Sequence, residues 1–312
     1  MKKYLITFLF SILVIITFSQ SQLILKTGFE ENTFLKVSGK GHQFFGYDKS
    51  TNFSWENIEL NGRLKFFYLA GDEPGNFVET TIDKVVGRKD KPTSAIYMSV
   101  KMDFPYDKFG NVTRNELSYF PDSALTEGYV AVWIKLQDDF LEKAPKTKAS
   151  KQLDYYQLDS WRMLMEIKEP NSGISKKGRG TNNYRISFFI ARDSTTNKMY
   201  WLLRAESPQP VRKIDWEIEN KMVEVPIGEW FKMEAYFKKD KKNGRVWWAV
   251  NNQQVANYEG RTEHPDNPMP VKFWSFVKLY QDEKWFENGP VFQWIDDLEF
   301  WTGFPPSHPQ VN

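Results

Sequence analysis

Cysteine is absent from this chain of 312 residues. No disulfide can form and no lipid can be attached through a thiol, so an exported chain of this kind is held by its core. Histidine is nearly absent as well: His42, His264 and His308 are the only three. Each sits in polar, loop-like sequence and is expected to be solvated, and so few soft ligands argue against a transition-metal site. Only one long apolar run exists, Tyr4 to Phe18, directly after Met1-Lys2-Lys3. Ser19-Gln20-Ser21 then supplies small residues where a signal peptidase reads, and no spanning segment follows. This predicts a secretory signal peptide over 1–21, no membrane span, and a secreted or periplasmic protein. Loss of Lys2 and Lys3 with that segment removes the whole formal surplus of +2. A neutral chain gives no reason to expect nucleic acid or an anionic membrane as partner. Internal repeats, long amphipathic helices and Pro- or Ser-rich linkers are missing too. Residues 22–304 therefore read as a single domain and 305–312 as a tail.

What the chain does have is alternation. From Phe231 to Phe237 the odd positions Phe231, Met233, Ala235 and Phe237 are apolar, with Lys232, Glu234 and Tyr236 between them. That is the period of a strand with one buried face. Asn243-Gly244 marks a hairpin turn into Gly244–Val250, and Asn251-Asn252 a second turn into a third strand. Further strands are expected over 22–29, 62–69, 93–104, 114–120, 128–136, 160–167, 184–192, 198–205, 273–280 and 291–301. The stretch 34–55 reads as loop with short strands, 137–157 as a lysine-rich surface excursion with one helical turn, and 207–226 as mixed. Many short strands separated by turn signals mean an all-β, two-sheet antiparallel sandwich or jelly roll. Aromatic residues make up 16% of the chain, with 12 tryptophans. Flat rings suit both the filling of a large sandwich and the C–H face of a sugar.

Three segments, taken in order, resemble the concanavalin-A-like jelly-roll polysaccharide lyases, a group that includes alginate lyases and the heparin-lyase-like and glucuronan-lyase-like families. Arg114-Asn115-Glu116-Leu117, followed by Glu127-Gly128-Tyr129-Val130-Ala131-Val132-Trp133, resembles the family's Arg-x-Glu-Leu strand and the strand after it. Trp161-Arg162-Met163-Leu164-Met165-Glu166-Ile167-Lys168 sits where those enzymes carry Gln-Ile-His or Gln-x-His. Phe276-Val277-Lys278-Leu279-Tyr280-Gln281 resembles the strand ending in Gly-x-Tyr. The resemblance spans roughly Gly28 to Trp301. It implies a secreted lyase-like protein that cleaves a uronate-containing polysaccharide by β-elimination. The polysaccharide is its expected partner, the protein acts as a monomer, and the chemistry needs no cofactor.

Such a reaction needs a cation to neutralise the uronate carboxylate, a base near C5 and an acid near the leaving oxygen. The resemblance gives the first role to Arg114 and the acid role, or both acid and base, to Tyr280. The histidine's role falls to Lys168, with Glu116, Glu166 and Gln281 as substrate-binding neighbours. The chain departs from the pattern at two catalytic positions, Glu166 for Gln and Lys168 for His, and Lys278 replaces a Gly. Glu166 and Lys168 point to one face of a strand, and their pairing keeps the lysine charged, which works against a base. A non-catalytic glycan-binding sandwich is therefore the alternative. A retaining glycoside hydrolase would need two close carboxylates, and the Glu-x-Asp-x-x-Glu strand pattern for it is absent. Glu30 and Asp297, near the first and last strands, offer oxygen ligands of the type that suits a structural Ca²⁺.

Overall fold

A computed structural model describes residues 21–311 apart from 39–40, 57–62, 69–76, 102–113, 147–157, 159, 170–183, 208–212, 267, 282–283 and 286–288. The expected signal peptide, except its last residue Ser21, lies outside the described residues. Among the latter, no helix is long and apolar enough to cross a membrane. The strands, in chain order, are β1 (Leu23–Thr27), β2 (Thr33–Val37), β3 (Gly41–Asp48), β4 (Phe53–Ser54), β5 (Leu64–Tyr68), β6 (Val78–Val86), β7 (Pro92–Val100), β8 (Asn115–Tyr119) and β9 (Glu127–Leu136). A single turn of helix, α1 (Phe140–Lys143), precedes β10 (Trp161–Lys168), β11 (Arg185–Arg192), β12 (Met199–Ser207) and β13 (Lys213–Asn220). The chain continues with β14 (Trp230–Lys238), β15 (Gly244–Val250), β16 (Gln253–Gly260), β17 (Phe273–Gln281) and β18 (Val291–Trp301).

These strands form two antiparallel sheets, the jelly-roll sandwich read from the alternation. One sheet runs β16-β15-β14-β9-β18-β7-β6, with β1 also on β18; the other runs β13-β12-β11-β10-β17-β8-β5-β3-β2, with β4 on β3. The three strands read around Phe231–Phe237 and Gly244–Val250 are the meander β14, β15 and β16, and Asn251 and Asn252 both take the left-handed φ its tight turn demands, 49° and 64°. In the first sheet β18 is central. Its Val291–Ile295 segment pairs with β7, and its Leu298–Trp301 segment pairs with β1 on the same flank. The register against β9 shifts between Asp296 and Glu299, and Asp297 has φ 42°. A bulge at this point turns the strand from one partner to the next.

The core lies between the sheets and is rich in indole rings. Trp201 on β12 and Trp248 on β15 meet edge to face at 5.2 Å across the two layers, and Phe188 approaches Trp248 at the same distance. Gly128 on β9 makes room for another: a side chain there would begin 2.8 Å from Trp274 and 3.0 Å from Phe300.

Strand β6 was not evident in the sequence, because it does not alternate cleanly, and β3 lies within the stretch read as loop with short strands. Gly46 bends β3 at φ 92°, and β6 is a half-exposed edge strand. By contrast β13 does alternate, Ile214, Trp216 and Ile218 against Asp215, Glu217 and Glu219, and lies within the stretch read as mixed. The histidines correct the expectation of solvated loops. His42 is on β3. His264 is 5% exposed, with its backbone N–H donating to Glu169. His308 lies flat on Phe304 at 4.7 Å, which itself stacks on Tyr236 at 4.0 Å. The tail is thus docked on the outer face of the first sheet.

Trp248 joins both layers, so Trp248→Ala should cost about 3–5 kcal/mol of stability, read as a lowered urea midpoint at unchanged slope.

Candidate active site

The site is built on the outer face of the second sheet, on three neighbouring strands. In β8, Leu117 and Tyr119 belong to the core, so Glu116 and Ser118 point away from it. In β17, Val277 and Leu279 face the core, while Lys278 and Tyr280 face out. In β10, Met165 and Ile167 face the core and Glu166 and Lys168 face out. Register irregularities bring the charged ends level. They fall between Met163 and Glu166 in β10, and between Ser275 and Val277 in β17. Lys278 pairs across the ladder with Glu116, and Lys168 with Arg185 of β11.

The result is one network of six charged side chains. Lys278 Nζ lies 2.5 Å from Glu166 Oε2 and 3.2 Å from Glu116 Oε2. Arg114 Nε is 3.4 Å from Glu116 Oε1, Arg185 Nη1 is 3.4 Å from Glu166 Oε1, and Lys168 Nζ is 3.7 Å from Glu166 Oε2. The arrangement is layered by charge. Glu116, Glu166 and Lys278 are at most 1% exposed, whereas the side chains of Arg114, Lys168 and Arg185 keep 15–19% of their surface. Solvent therefore meets three cations, with the carboxylates beneath them. Tyr280 stands at the edge of the network. Arg114 is 5.6 Å and Lys278 5.3 Å from its ring centre, and its other side packs edge to face on Trp161 at 5.2 Å. Beyond it the same face turns apolar, with Met163, Phe189, Tyr200 and Leu202.

Burial and charge pull against each other in this network. Burial alone would raise Glu166, but Lys278, Lys168, Arg185 and Arg114 outweigh it and hold its carboxyl well below the usual range. Glu116 is likewise raised by burial and brought down further by Arg114, Lys278 and Lys168. Lys168 goes the other way: burial lowers it, Glu166 partly restores it, and Arg114 and Lys278 lower it again, to about 8. Glu166 does pair with Lys168, at 3.7 Å, and favours its charged form, but burial and the neighbouring cations act against it. Glu166 is shared among several cations, its closest contact is with Lys278, and Lys168 is left near its point of proton loss.

Arg114, Glu116, Glu166, Lys168 and Tyr280 are thus brought together, as the sequence leads one to expect. Gln281 is not. It follows Tyr280 by one residue in a strand, so it points to the opposite face, fully buried and in register with Arg162. The Arg162 guanidinium lies between the rings of Phe140 and Trp285, at 4.4 and 4.6 Å. Glu116 and Glu166 do not reach the surface as ligand-contacting groups; they orient the cations above them. Arg185 and Lys278 are the members that sequence reasoning missed as site residues. Lys278 was visible only as a charge replacing a glycine. Arg185 starts a strand whose alternation, with Ser187 on the same face, was legible.

Glu30 and Asp297 lie close to one another at the corner where β1 and β7 meet β18. A side chain on Gly28 would begin 3.1 Å from Asp297 Oδ1 and 3.6 Å from Glu30 Cγ. Each carboxylate already has basic company, Arg88 for Asp297 and Lys84 at 3.6 Å for Glu30. Among the described residues no group of three or more His, Asp or Glu side chains is arranged to hold a metal ion.

Lys278 neutralises two buried carboxylates at once. Lys278→Ala should destabilise the fold by about 3–5 kcal/mol, measured by thermal or urea unfolding. Lys278→Arg should recover part of the loss.

No family profile matches the chain, and no curated protein matches it. Solved structures do resemble it. An endo-β-1,4-glucuronan lyase from the fungus Trichoderma reesei aligns at 15% identity and a TM-score of 0.46, covering 75% of this chain and 94% of that one. Alginate lyase Aly36B aligns at 9% identity and 0.45, covering 90% and 96%. LamAcat from Zobellia galactanivorans aligns at 13% identity and 0.41, covering 89% and 97%.

Proposed function

We propose that the chain is a secreted polysaccharide lyase-like protein whose site on the second sheet takes a uronate-containing polymer and cleaves it by β-elimination. The observation that carries this reading is the layering of charge. Four cations surround two carboxylates, and the three groups that meet solvent, Arg114, Lys168 and Arg185, are all basic. A surplus of positive charge in a half-buried place suits an anionic ligand and is wasted on a neutral one.

In this reading Arg114 and Arg185 receive the uronate carboxylate. By holding its charge they lower the cost of forming a carbanion beside it. Lys168, poised near its own proton loss, takes the proton from C5. The electron pair of that C–H bond becomes the C4–C5 double bond. The C4–O bond breaks, and the Tyr280 phenol gives its proton to the leaving sugar oxygen. One glycosidic bond is exchanged for one carbon–carbon double bond, with no water and no redox partner consumed. A proton passed from the Lys168 ammonium to the Tyr280 phenolate resets the site. Tyr280 is suited to this role by its position beside both Arg114 and Lys278, whose charges stabilise the phenolate.

The second reading, a glycan-binding sandwich without turnover, is favoured by Glu166, whose carboxylate 3.7 Å from Lys168 stabilises the protonated ammonium. The two readings separate in one assay. Incubated with alginate, glucuronan, heparin-like and ulvan-like polymers, the protein should raise the ultraviolet absorbance of unsaturated product on at least one. Tyr280→Phe should abolish the rise while leaving binding intact. Retention on the polymer with no absorbance change would establish the second reading instead, and neither retention nor turnover would remove both.

The pH profile follows from Lys168. The base form is needed, and its ammonium is brought down to about 8, so kcat/KM should rise with pH along a limb centred near 8. Lys168→Arg, which cannot lose its proton in this range, should remove that limb together with the activity.

A further inference from the structure

The outer face of the first sheet, on the far side of the core from the charged site, carries a row of rings. Tyr97 on β7 is in register with Trp294 on β18, Trp294 with Lys135 on β9, and Lys135 with Trp230 on β14. Their strand neighbours Ile96, Ile295, Ile134 and Phe231 all belong to the core. The row itself therefore points outward, and all four of its members are half-buried. Tyr97 and Trp294 stand 5.7 Å apart, Phe292 closes against Trp294 at 5.1 Å, and Lys135 Nζ lies 5.8 Å from the Trp294 ring. One step along the strands, the Arg88 guanidinium lies 4.4 Å over Trp133. Beside it opens a groove of about 460 Å³, lined among others by Arg88, Lys89, Lys91, Trp133 and Asp296.

The other half of this same face is already covered. There Tyr129, Tyr236 and Trp247 lie beneath Phe304 and His308 of the C-terminal tail. The half that the tail leaves uncovered is bordered by the β6–β7 turn, where the Trp230 indole N–H donates to the Val86 carbonyl, and it differs by its charge. Lys89 and Lys91 are exposed, Lys135 lies in the ring row, and Arg88 sits on Trp133 with Asp297 beside it. Asp296 is the one acid lining the groove, and it is 2% exposed. Burial and the neighbouring Asp297 push its carboxyl up to about 7, which weakens that negative charge at neutral pH; the other acids nearby, Asp297 on Arg88 and Asp138 at 3.9 Å from Lys135, leave the exposed Lys89 and Lys91 as the surplus.

We propose that this row is a second binding surface for the acidic polysaccharide, a platform on which a linear chain lies across β7, β18, β9 and β14. Strands succeed one another about 4.8 Å apart, so a chain crossing them meets Tyr97, then Trp294, then Lys135, then Trp230. Flat rings cover the C–H faces of successive sugars while Lys135, Arg88 and the lysines of the groove pair with their carboxylates. Neither a neutral polymer nor an apolar protein segment would use the interleaved cations. The choice of an acidic polymer rests on the reading of the charged site, since both surfaces would hold one chain chemistry. The platform has no acid–base pair and does no chemistry. It keeps a long polymer on the protein between cleavage events on the other sheet.

Native gel electrophoresis of the full chain in gels containing alginate, glucuronan or neutral hydroxyethylcellulose tests this. Alginate or glucuronan should retard wild type and Tyr280→Phe alike, because Tyr280 belongs to the opposite sheet. Trp294→Ala should weaken the apparent Kd roughly tenfold, and Lys135→Glu, on a half-exposed side chain with little bearing on folding, should do the same. Equal retardation of Trp294→Ala, Lys135→Glu and wild type would overturn the platform. So would retardation by hydroxyethylcellulose as strong as that by the acidic polymers. Where absorbance shows turnover, Trp294→Ala should keep wild-type kcat/KM on short oligouronides and lose it on long polymer; equal loss on both would also count against it. A protein that shows no turnover yet is retarded through Trp294 keeps the platform and loses the lyase, so the two proposals fail separately.

Discussion

The contact on which most depends is the one between Lys278 and Glu166, 2.5 Å apart on the outer face of a sheet and almost wholly shielded from water. Charges taken out of water at such a place persist only when each has a partner. That requirement recruits the rest: Glu116 shares the lysine, Arg114 answers Glu116, and Arg185 and Lys168 answer Glu166. No single pair sets the geometry. Three strands must hold their register for any of it to be satisfied, and that makes the cluster rigid.

From that constraint the character of the site follows. Carboxylates fixed below and cations presented above form a surface with a built-in polarity. The lysine least firmly engaged, Lys168, is the one whose proton is loosened. A network whose deeper members are stabilising and whose outermost member is poised divides structural from chemical duty among residues of the same kind. The glycan-binding reading needs only the first of these duties and the lyase reading needs both.

The fold was legible wherever one face of a strand is wet and the other dry. The meander of β14 to β16, with its Asn-Asn turn, stood out because Phe231, Met233, Ala235 and Phe237 alternate with polar residues. The edge strand β6 gave little signal, since an edge residue is half-wet on both faces, and β2 and β3 showed only as short strands within a loop-like stretch. The site was partly legible: Arg114, Glu116, Glu166, Lys168 and Tyr280 occupy positions that a known strand pattern marks. Arg185 was not, because nothing local says which strand will lie beside β10. Gln281 was misassigned because adjacency in sequence is opposition in a strand. His308 shows the same limit in loops, where polar neighbours in sequence conceal the rings of Phe304, Tyr129 and Trp247 in space.

The strand that changes partners at Asp296–Asp297 has a consequence for assembly. β18 is the spine of its sheet, flanked by β9 on one side and by β7 and then β1 on the other. A ribosome delivers that spine after every other described strand. Until it arrives, β1 has no partner among the described strands and β7 has only β6, while β9 has only the meander that follows it. Closure of this layer is thus a late event between distant parts of the chain, which is inherently slow. The sandwich stays open until its eighteenth strand has been made.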